Sequence, residues 1–561
     1  MPTQRFDDLR APTPDLDELK GSIDALLAEL ARATTVDAVC DLIKRWDQLR
    51  EGVDTWGALV DLRFNQDTAD EQRRADREQK DELSPRWTEL TVMLQRALLD
   101  HPLRAEVEAR IGAQAFALWE VDVLSFDPAI KDDLVAESKL EAEYTGLLAA
   151  AELSFRGESL NFSTIVRYRQ DKDRETRHDS AAVTWDWYGE HGDELDRIYD
   201  DMVRLRTKTA RQLGFADFVE LGYKRMMRID YDRKDVDRFR AQVREHVVPL
   251  ANELAGQQRT ALGVDELMAW DEPVMDPNGN PAPKGDHDWM VERATEMFDE
   301  MGSGLGEFFG LMRGGGFLDL KSRQGKAGGG FCTSFPTIGM PFVFANFNGT
   351  KGDVEVFTHE IGHAFQNYRS RDNRPLDYVW PTLESCEVHS MSLEFLTWPH
   401  MEKFFGDGAD RFRRMHLTES LMFLPYGTAV DHFQHEVYEN PDATPAERHA
   451  MWLRMEETYL PWRKWGDLAY PGKGGRWQSQ RHIYLNPFYY IDYVLAQTCA
   501  LQFLARSRKD ETEAMSAYVA LCARGGEAPF QQLTQGAGLK SPFDDGCLEA
   551  VVREARTVLD G

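Results

Sequence analysis

The sequence is poor in cysteine, with six in 561 residues, and no two cysteines form a CxxC pair. The first ten residues, MPTQRFDDLR, lack the basic and then apolar segments of a signal peptide. No apolar run approaches the length that is needed to cross a bilayer. We therefore expect reduced thiols, no membrane partner and a cytoplasmic location.

Positive charge is also scarce. The 66 lysines and arginines are outnumbered by 96 aspartates and glutamates, so the formal net charge is −30. Such a surface repels polyphosphate, and we expect no nucleic-acid partner. Apolar residues make up 42 % of the chain, which is enough for large buried cores. The length favours two or more cooperating lobes.

Helical periodicity dominates what is present. Apolar residues recur at helical spacing over residues 16–30, with Thr13 as the expected N-cap and Pro14 at the first helical position. Strand-forming residues are concentrated in Phe331–Phe347, where Pro336 and Gly339 interrupt them. We predict a mainly α protein of two lobes, with a small β-sheet beside the next helix. Further amphipathic stretches cover residues 36–50, 86–112, 130–155, 190–222, 232–262 and 288–312.

A metal-binding pattern, His359-Glu360-Ile361-Gly362-His363, follows this strand region. Helix positions i and i+4 share a face, so both imidazoles can bind the same zinc ion. Glu360 can reach a water on that ion and act as a general base, while the small Gly362 allows close packing. We expect one Zn²⁺ per chain and hydrolysis by an activated water.

The third ligand distinguishes the classes of zinc hydrolase. A metzincin requires glycine and histidine where this chain has Gln366 and Arg369, which excludes that class. A thermolysin-like spacing would place a glutamate at position 382 or 383, and these are Thr382 and Leu383. The ligand must therefore come from further along the chain.

Three glutamates are available there: Glu384, Glu387 and Glu394. Their spacing projects all three from one face of a second helix, and it does not choose among them. Glu387 is the most central of the three, and we take it as the best candidate for the third zinc ligand. Glu394 can instead orient a ligand histidine through its second ring nitrogen. Ordinary solvated helix surface is the alternative for Glu384 and Glu394.

A zinc hydrolase also needs donors for the oxyanion that forms when water attacks a carbonyl. The segment RHIYLNPFYYIDYVLAQ is rich in neutral hydroxyl and imidazole groups. Tyr489 and Tyr493 lie one helical turn apart and can address one point. Amphipathic tyrosines at a helix surface are the alternative interpretation. The candidates are His482, Tyr484, Tyr489, Tyr490 and Tyr493.

HEIGHAFQ, the Glu387 spacing and EVHSMSLEFL together resemble the M3 family of zinc oligopeptidases, the group of thimet oligopeptidase and oligoendopeptidase F. Within this family, the chain is most similar to the oligoendopeptidase F and Pz-peptidase branch. The segment that carries this similarity is GGGFCTSFP…PFVFANFNGTKGDVEVFTHEIGHAFQ. The resemblance is strong over residues 331–502, weaker over residues 221–225, and says little about residues 1–150.

The resemblance implies that His359, His363 and Glu387 are the zinc ligands and Glu360 is the general base. It also implies that His482, Tyr490 and Tyr493, with Tyr489 close behind, contact substrate and the tetrahedral intermediate. We divide the chain into an N-terminal helical region, residues 1–160, and a catalytic region, residues 161–561. The N-terminal helices are expected to enclose a deep substrate channel.

The predicted function is hydrolysis of internal bonds in short unfolded peptides. One alternative is an exopeptidase that uses the same zinc site. Another is a zinc-stabilised peptide-binding protein without turnover, against which Glu360 argues, because a structural zinc site needs no base. The sequence makes no prediction of the oligomeric state, the side-chain preference or the length limit of the substrate.

Overall fold

The computed structural model describes residues 5–323 and 325–560, and helices dominate these ranges as predicted. The strands are β1 (Leu153–Phe155), β2 (Glu158–Leu160), β3 (Leu318–Lys321), β4 (Phe331–Phe335) and β5 (Met340–Phe347). The helices are α1 (Leu16–Leu30), α2 (Val36–Gln66), α3 (Glu71–Leu99), α4 (Arg104–Ile111), α5 (Ala113–Ser125), α6 (Lys131–Ala149), α7 (Val166–Arg169), α8 (Arg174–Glu190), α9 (Gly192–Gln212), α10 (Phe218–Arg225), α11 (Arg233–Gln242), α12 (Val248–Leu262), α13 (His287–Met301), α14 (Leu305–Gly315), α15 (Lys351–Ser370), α16 (Leu383–Leu396), α17 (Glu402–Phe405), α18 (Ala409–Glu439), α19 (Pro445–Tyr459), α20 (Ala469–Gly472), α21 (Arg481–Leu485), α22 (Tyr490–Ser507), α23 (Glu511–Arg524), α24 (Phe530–Gly536) and α25 (Cys547–Asp560). Within the described ranges, no helix combines the length and apolar character that crossing a membrane requires.

The first helix begins later than its sequence predicts. Asp15, and not Thr13, is the N-cap of α1, and its carboxylate accepts hydrogen bonds from the backbone N–H groups of Asp17 and Glu18. A carboxylate at this position satisfies two free donors and favours the positive end of the helix dipole. The prediction that Thr13 caps the helix and Pro14 is its first residue was therefore wrong by two positions.

The sheet beside α15 has the strand order β3-β5-β4. β4 and β5 are antiparallel and are joined by the short turn Pro336–Ile338 and Gly339, whose φ is 59°. This is the pair that the sequence predicts over Phe331–Phe347. β3 pairs parallel to β5 and was not predicted, and neither was the separate hairpin of β1 and β2. β4 lies at the edge of its sheet.

Two helices that carry the candidate residues pack at very short distance. Gly362 of α15 lies against the backbone of α16, where an added methyl group would be 2.6 Å from Ser390 Cα and 2.8 Å from the His389 carbonyl oxygen. α16 is buried over nearly its whole length, so it has no solvated face. The surface interpretation of Glu384 and Glu394 was therefore wrong, because α15 and α22 cover both sides of the helix.

The N-terminal helices form a second, smaller core that includes Trp46 and Trp119. Buried polar contacts join this part to the chain around α15. Arg50 of α2 forms ion pairs with Asp47 and, at 2.7 Å, with Asp377. These contacts cross the boundary that the sequence places at residue 160, and that boundary stays a prediction.

A second set of contacts runs from the end of α2 to the glycine-rich loop before β4. The backbone N–H of Thr68 donates to the carbonyl oxygen of Gly325 at 2.7 Å, and the N–H of Ala327 donates to that of Asn65 at 2.8 Å. The N-terminal helices therefore hold the loop that leads into the edge strand.

Candidate active site

Three of the predicted residues form one cluster. Glu387 Oε2 lies 3.2 Å from His359 Nε2 and 3.4 Å from His363 Nε2. One potential ligand atom from each residue lies within 4.8 Å of the others, and Glu387 is buried. α15 supplies the two histidines one turn apart, and the close packing at Gly362 brings α16 near enough to add the carboxylate.

The cluster has the donor set and the spacing of a tetrahedral zinc site. Zinc binds imidazole nitrogen and carboxylate oxygen at about 2.0–2.2 Å, so neighbouring corners of its tetrahedron are about 3.3–3.5 Å apart. The two distances from Glu387 Oε2, 3.2 and 3.4 Å, match such edges. A zinc ion held by these three residues would keep one position free for a water or a substrate oxygen, as in catalytic zinc sites.

Glu394 lies behind the cluster and contacts the other nitrogen of His359. Its Oε1 is 2.8 Å from His359 Nδ1, and its Oε2 is 2.8 Å from His416 Nε2. The indole N–H of Trp398 donates to His416 Nδ1 at 2.9 Å. That bond makes His416 Nδ1 an acceptor, so His416 carries its proton on Nε2 and donates it to Glu394.

This chain of hydrogen bonds sets the tautomer of His359. Glu394 accepts from both histidines, so the proton of His359 is on Nδ1 and the lone pair of Nε2 points into the cluster. Burial opposes ionisation of Glu394, but the hydrogen bonds from His359 and His416 outweigh it and lower the pKa of Glu394 to about 2. The sequence analysis missed His416 and Trp398, which carry no spacing signal.

Glu360 is next to the cluster and faces the start of β4. A methyl group at Gly330 would lie 2.9 Å from Val356 Cγ1 and 3.3 Å from Glu360 Oε1, so a side chain there would crowd this carboxylate. Oε2 is buried and has no hydrogen-bond partner within the described chain. Burial raises the pKa of the Glu360 carboxyl above its ordinary value. A raised pKa gives a stronger base than a solvated glutamate.

The tyrosines and the histidine of the later segment converge on the same place. The His482 ring lies 5.8 Å from Tyr489, 5.1 Å from Tyr490 and 5.8 Å from Tyr493, measured between ring centroids. The Tyr489 hydroxyl donates to Glu387 Oε1 at 2.5 Å. Tyr484 does not belong to this group, because it is fully buried in the core and its hydroxyl bonds to the Leu195 carbonyl.

His482 is held as a neutral donor. The side-chain amide of Gln480 accepts from the Tyr426 hydroxyl at 2.7 Å, and its nitrogen lies 3.0 Å from His482 Nδ1. With Nδ1 accepting, the His482 proton is on Nε2. Burial, with a contribution from the positive charge of Arg481, lowers the pKa of His482 to about 4. The ring can therefore donate at neutral pH without carrying charge.

An unusual backbone conformation precedes the tyrosines. Phe488 has a φ of 68°, in the left-handed region that non-glycine residues seldom adopt. Its N–H donates to Gln434 Oε1 at 2.9 Å, and its carbonyl oxygen accepts from Arg228 at 2.5 Å. These partners fix the turn that presents Tyr489, and the sequence analysis missed all three residues. Strain of this kind persists only where the surroundings determine it.

Glu384 lies outside the cluster, although it shares α16. It is buried, and its Oε2 has no partner within the described residues. Burial, together with the negative charge of Asp492, raises the pKa of Glu384 well above its ordinary value. Burial therefore favours the protonated form of Glu384, in contrast to Glu394 on the same helix, whose pKa is lowered.

Comparison with known protein families gives two matches. Residues 6–126 match the peptidase M3 N-terminal domain, and residues 285–553 match peptidase family M3. The first match lies in the part of the chain about which the motifs say little.

Solved structures match over nearly the whole chain. A Pz peptidase A with an inhibitor is 42 % identical, with a TM-score of 0.96 and coverage of 99 % of both chains. A candidate oligoendopeptidase F is 45 % identical, with a TM-score of 0.97, over 100 % of this chain and 99 % of that one. An oligoendopeptidase F homologue of Lactococcus lactis subsp. lactis (strain IL1403) is 21 % identical over 315 residues, 54 % of this chain. That match spans half the length of the curated relative.

Proposed function

The chain belongs to peptidase family M3, a family of metallopeptidases, and from this premise we propose that it is a zinc-dependent oligoendopeptidase. Its substrates are short unfolded peptides, cleaved at internal bonds. The observation that carries the proposal is the His359, His363 and Glu387 cluster with the buried, unpartnered Glu360 beside it. A purely structural zinc site would need no such base.

Zinc is the proposed cofactor, held by the Nε2 atoms of His359 and His363 and by Oε2 of Glu387. The fit rests on the donor types and on separations of 3.2 and 3.4 Å. When bound, the ion supplies Lewis-acid chemistry, because it acidifies water and polarises a carbonyl group. Glu394 holds the ring of His359 for this task.

Glu360 is the proposed general base and then the general acid. Its free Oε2 takes the proton of the attacking water and passes it to the nitrogen of the leaving amine. Burial raises the pKa of its carboxyl, which brings proton acceptance closer to neutral pH. Gly330 keeps the space in front of this carboxylate open.

His482 and Tyr493, with Tyr490, are the proposed donors to the developing oxyanion. Nε2 of His482 carries the proton that faces away from Gln480. The hydroxyl of Tyr489 is already committed to Glu387, so we assign Tyr489 to positioning that carboxylate. These donors are assigned to the oxygen of the carbonyl group that the water attacks while Glu360 takes the proton of that water.

β4 is the proposed binding edge for the peptide backbone. It is the outer strand of its sheet, and an extended peptide can add to such an edge through main-chain hydrogen bonds. Binding of this kind reads few side chains and suits a broad peptidase. A cytoplasmic location stays a prediction from the sequence.

The test is cleavage of a peptide that is acetylated at its N-terminus and amidated at its C-terminus. We expect the wild-type protein with one bound zinc to cut an internal bond, which an exopeptidase cannot do. Glu360→Gln should retain zinc and lose about 10²–10⁴-fold in kcat, since the base is removed. Products are identified by mass spectrometry, and zinc by elemental analysis.

The matched control is Glu29→Gln, which removes a carboxylate from the exposed pair with Arg45 on the N-terminal helices. It should cleave like the wild type. Full activity of Glu360→Gln with zinc bound would contradict the mechanism. Release of terminal residues only, from unblocked peptides, would favour the exopeptidase.

A further inference from the structure

A groove with a volume of about 410 Å³ runs along the free edge of β4. Three consecutive residues of the strand line it: Cys332, Thr333 and Ser334. Successive side chains of a strand point to opposite faces, so a cavity that is lined by three residues in a row lies along the edge of the strand. β5 pairs with the other edge of β4, and the groove therefore follows the edge to which a peptide can add.

The opposite wall of the groove is one face of α2. Arg50, Asp54 and Ala58 line the groove, and their spacing of four residues places them on the same side of the helix, one turn apart. The segment after α15 completes the lining with Asp377 and Trp380. The groove therefore separates the N-terminal helices from the proposed peptide-binding strand.

The groove leads away from the proposed general base. Gly330, which directly precedes β4, faces Glu360. The strand rises by about 3.3 Å per residue, so Cys332 and Ser334 lie about 7 and 13 Å along it from Gly330. A peptide that adds to β4 with its scissile bond beside Glu360 therefore passes through the groove two to four residues from the cut bond.

The groove contains one negative charge without a counterion. Arg50 is already balanced, because it forms ion pairs with Asp47 and Asp377. Asp54 is exposed, and among the residues that the structure describes its carboxylate makes neither a hydrogen bond nor an ion pair. The walls of the groove reduce its hydration and, with the negative charges of Asp377 and Glu51, raise the pKa of Asp54 to about 6, although Arg50 opposes this. At neutral pH the carboxylate is mostly ionised.

The lining beside Asp54 suits a cation on an apolar stem. Trp380 adds an aromatic side chain, and its indole N–H donates to Ser334 Oγ at 3.1 Å, which ties it to the edge strand. Aromatic rings attract cations, and the long methylene stems of lysine and arginine cover apolar surface while the charged group stays hydrated. A free carboxylate and an indole in one groove are therefore complementary to a basic side chain.

We propose that Asp54 selects substrates that carry a basic side chain, lysine or arginine, two to four residues from the cut bond. The inference rests on the proposed function and adds a specificity determinant to backbone binding at β4. The ammonium or guanidinium group supplies the counterion that Asp54 lacks, through a charge-assisted hydrogen bond. Asp54 is the free charge of the groove at one level of α2, so one position of the peptide is selected.

The experiment compares cleavage of nine-residue peptides that are acetylated at the N-terminus and amidated at the C-terminus, so that neither end is charged. In a neutral parent sequence, one position at a time is replaced by lysine, norleucine or glutamate. Competition between peptides in one mixture gives ratios of kcat/KM, and mass spectrometry identifies the cut bond.

For the zinc-loaded wild type, we expect one position, two to four residues from the cut bond, at which lysine exceeds norleucine by about 5- to 30-fold. Glutamate should lie below norleucine at that position. High salt should reduce the lysine preference, because screening weakens the attraction between the two charges.

Asp54→Asn should reduce the lysine preference to no more than about 2-fold, and Asp54→Lys should reverse it, so that glutamate exceeds norleucine. A structural role would predict neither the loss at a single position nor the reversal. Because Asp54 has no protein partner, Asp54→Asn should leave the Tm unchanged or higher. The matched control is Asp41→Asn, which removes the same charge from an exposed pair with Lys44 on α2. Position 41 is about 20 Å away along the helix, so this variant should keep the full lysine preference.

Equal cleavage of the lysine and norleucine peptides at every position would overturn the inference, and so would a lysine preference outside the range of two to four residues. An unchanged preference in Asp54→Asn, or an equal loss in Asp41→Asn, would also overturn it. Each of these results leaves the proposed function intact, because the doubly blocked peptides are still cut internally. No cleavage of any peptide by the zinc-loaded wild type would overturn the inference and the proposed function together.

Discussion

At the scale of single residues, a histidine that binds metal through one nitrogen depends on what holds the other. Here Glu394 accepts from His359 and His416, and Trp398 fixes the tautomer of His416. Two donors meet two carboxylate oxygens, so the arrangement is fully satisfied. If an amide replaced the Glu394 carboxylate, its NH₂ group would meet the N–H group of one histidine, and two donors cannot form a hydrogen bond with each other.

Glu394→Gln should therefore weaken zinc binding by about 10- to 100-fold. The amide has one acceptor oxygen for two imidazole donors, and one histidine must turn away. Competition with a chelator measures the affinity. Glu384→Gln is the control, because it replaces a buried carboxyl of the same helix that lies outside the cluster. Equal affinities in both variants would show that Glu394 does not orient His359.

Tyr493 and Tyr489 should have different functions, the first in catalysis and the second in zinc binding. Tyr493→Phe is expected to lower kcat by about 10²–10³, the cost of losing one oxyanion donor, with zinc affinity unchanged. Tyr489→Phe leaves Glu387 Oε1 without its 2.5 Å donor and should act mainly on zinc affinity. Steady-state kinetics at saturating zinc, beside zinc titrations, distinguish the two effects. A loss of kcat confined to Tyr489→Phe would exchange the two roles.

At the scale of elements, the site depends on how closely α15 approaches α16. Gly362 has no room for a side chain, because Ser390 Cα and the His389 carbonyl would lie within 2.8 Å of an added methyl group. Both neighbours are backbone and cannot rotate aside. The absence of a side chain at Gly362 therefore allows the two helices to approach closely, and this approach determines the distance between the two histidines and Glu387.

Gly362→Ala should destabilise the protein by about 1–3 kcal/mol through overpacking and should weaken zinc binding as the helices move apart. Gly310→Ala, in α14 with open space around it, should stabilise by up to about 1 kcal/mol because it removes flexibility from the unfolded chain. Guanidinium unfolding measures both changes. Similar losses in the two variants would mean that helix packing at Gly362 is not the cause.

The local parts of the site could be predicted from sequence, and the long-range parts could not. His359, Glu360 and His363 lie on one helix, so their spacing in the sequence determines how their side chains are arranged in space. Trp398 follows α16 and His416 lies on α18, so both join the site only through side-chain contacts between separate elements, and their spacing carries no period. Arg228 holds the turn at Phe488 from 260 residues away. Such pairs follow from the assembled fold.

The same contrast holds among the elements. β4, β5 and α15 carry strong strand and helix patterns and were predicted. β3 was not, because it is only four residues long and pairs with β5, which follows later in the chain. The start of α1 was misplaced because Pro14 and Thr13 form a good helix start on paper. Asp15, two residues after Thr13, is the cap in the structure, because its carboxylate accepts two backbone hydrogen bonds.

At the scale of the whole molecule, the N-terminal helices are joined to the site region by buried charge. Arg50 is 11 % exposed and bridges Asp47 and Asp377. Removal of the Arg50 side chain would leave the carboxylates of Asp47 and Asp377 without this cation. The stability of the N-terminal part and of the site region are therefore coupled through one side chain.

Arg50→Met should lower the free energy of unfolding by about 3–5 kcal/mol, as expected when one member of a buried network is lost. Arg45→Met is the matched control on the same helix. Its pair with Glu29 is about half exposed on both sides and should be worth no more than about 1 kcal/mol. Denaturant titration compares the two. A small effect of Arg50→Met would uncouple the two parts.

The order in which the chain is synthesised gives the distances along the sequence a further meaning. The cluster of His359, His363 and Glu387 spans 29 residues, so a growing polypeptide contains all three before most of its C-terminal helices exist. The tyrosine that contacts Glu387 follows 102 residues later. The ribosome therefore makes the proposed metal ligands well before the proposed oxyanion donors. On the proposed assignment, a chain interrupted in that interval has every metal ligand and none of the oxyanion donors.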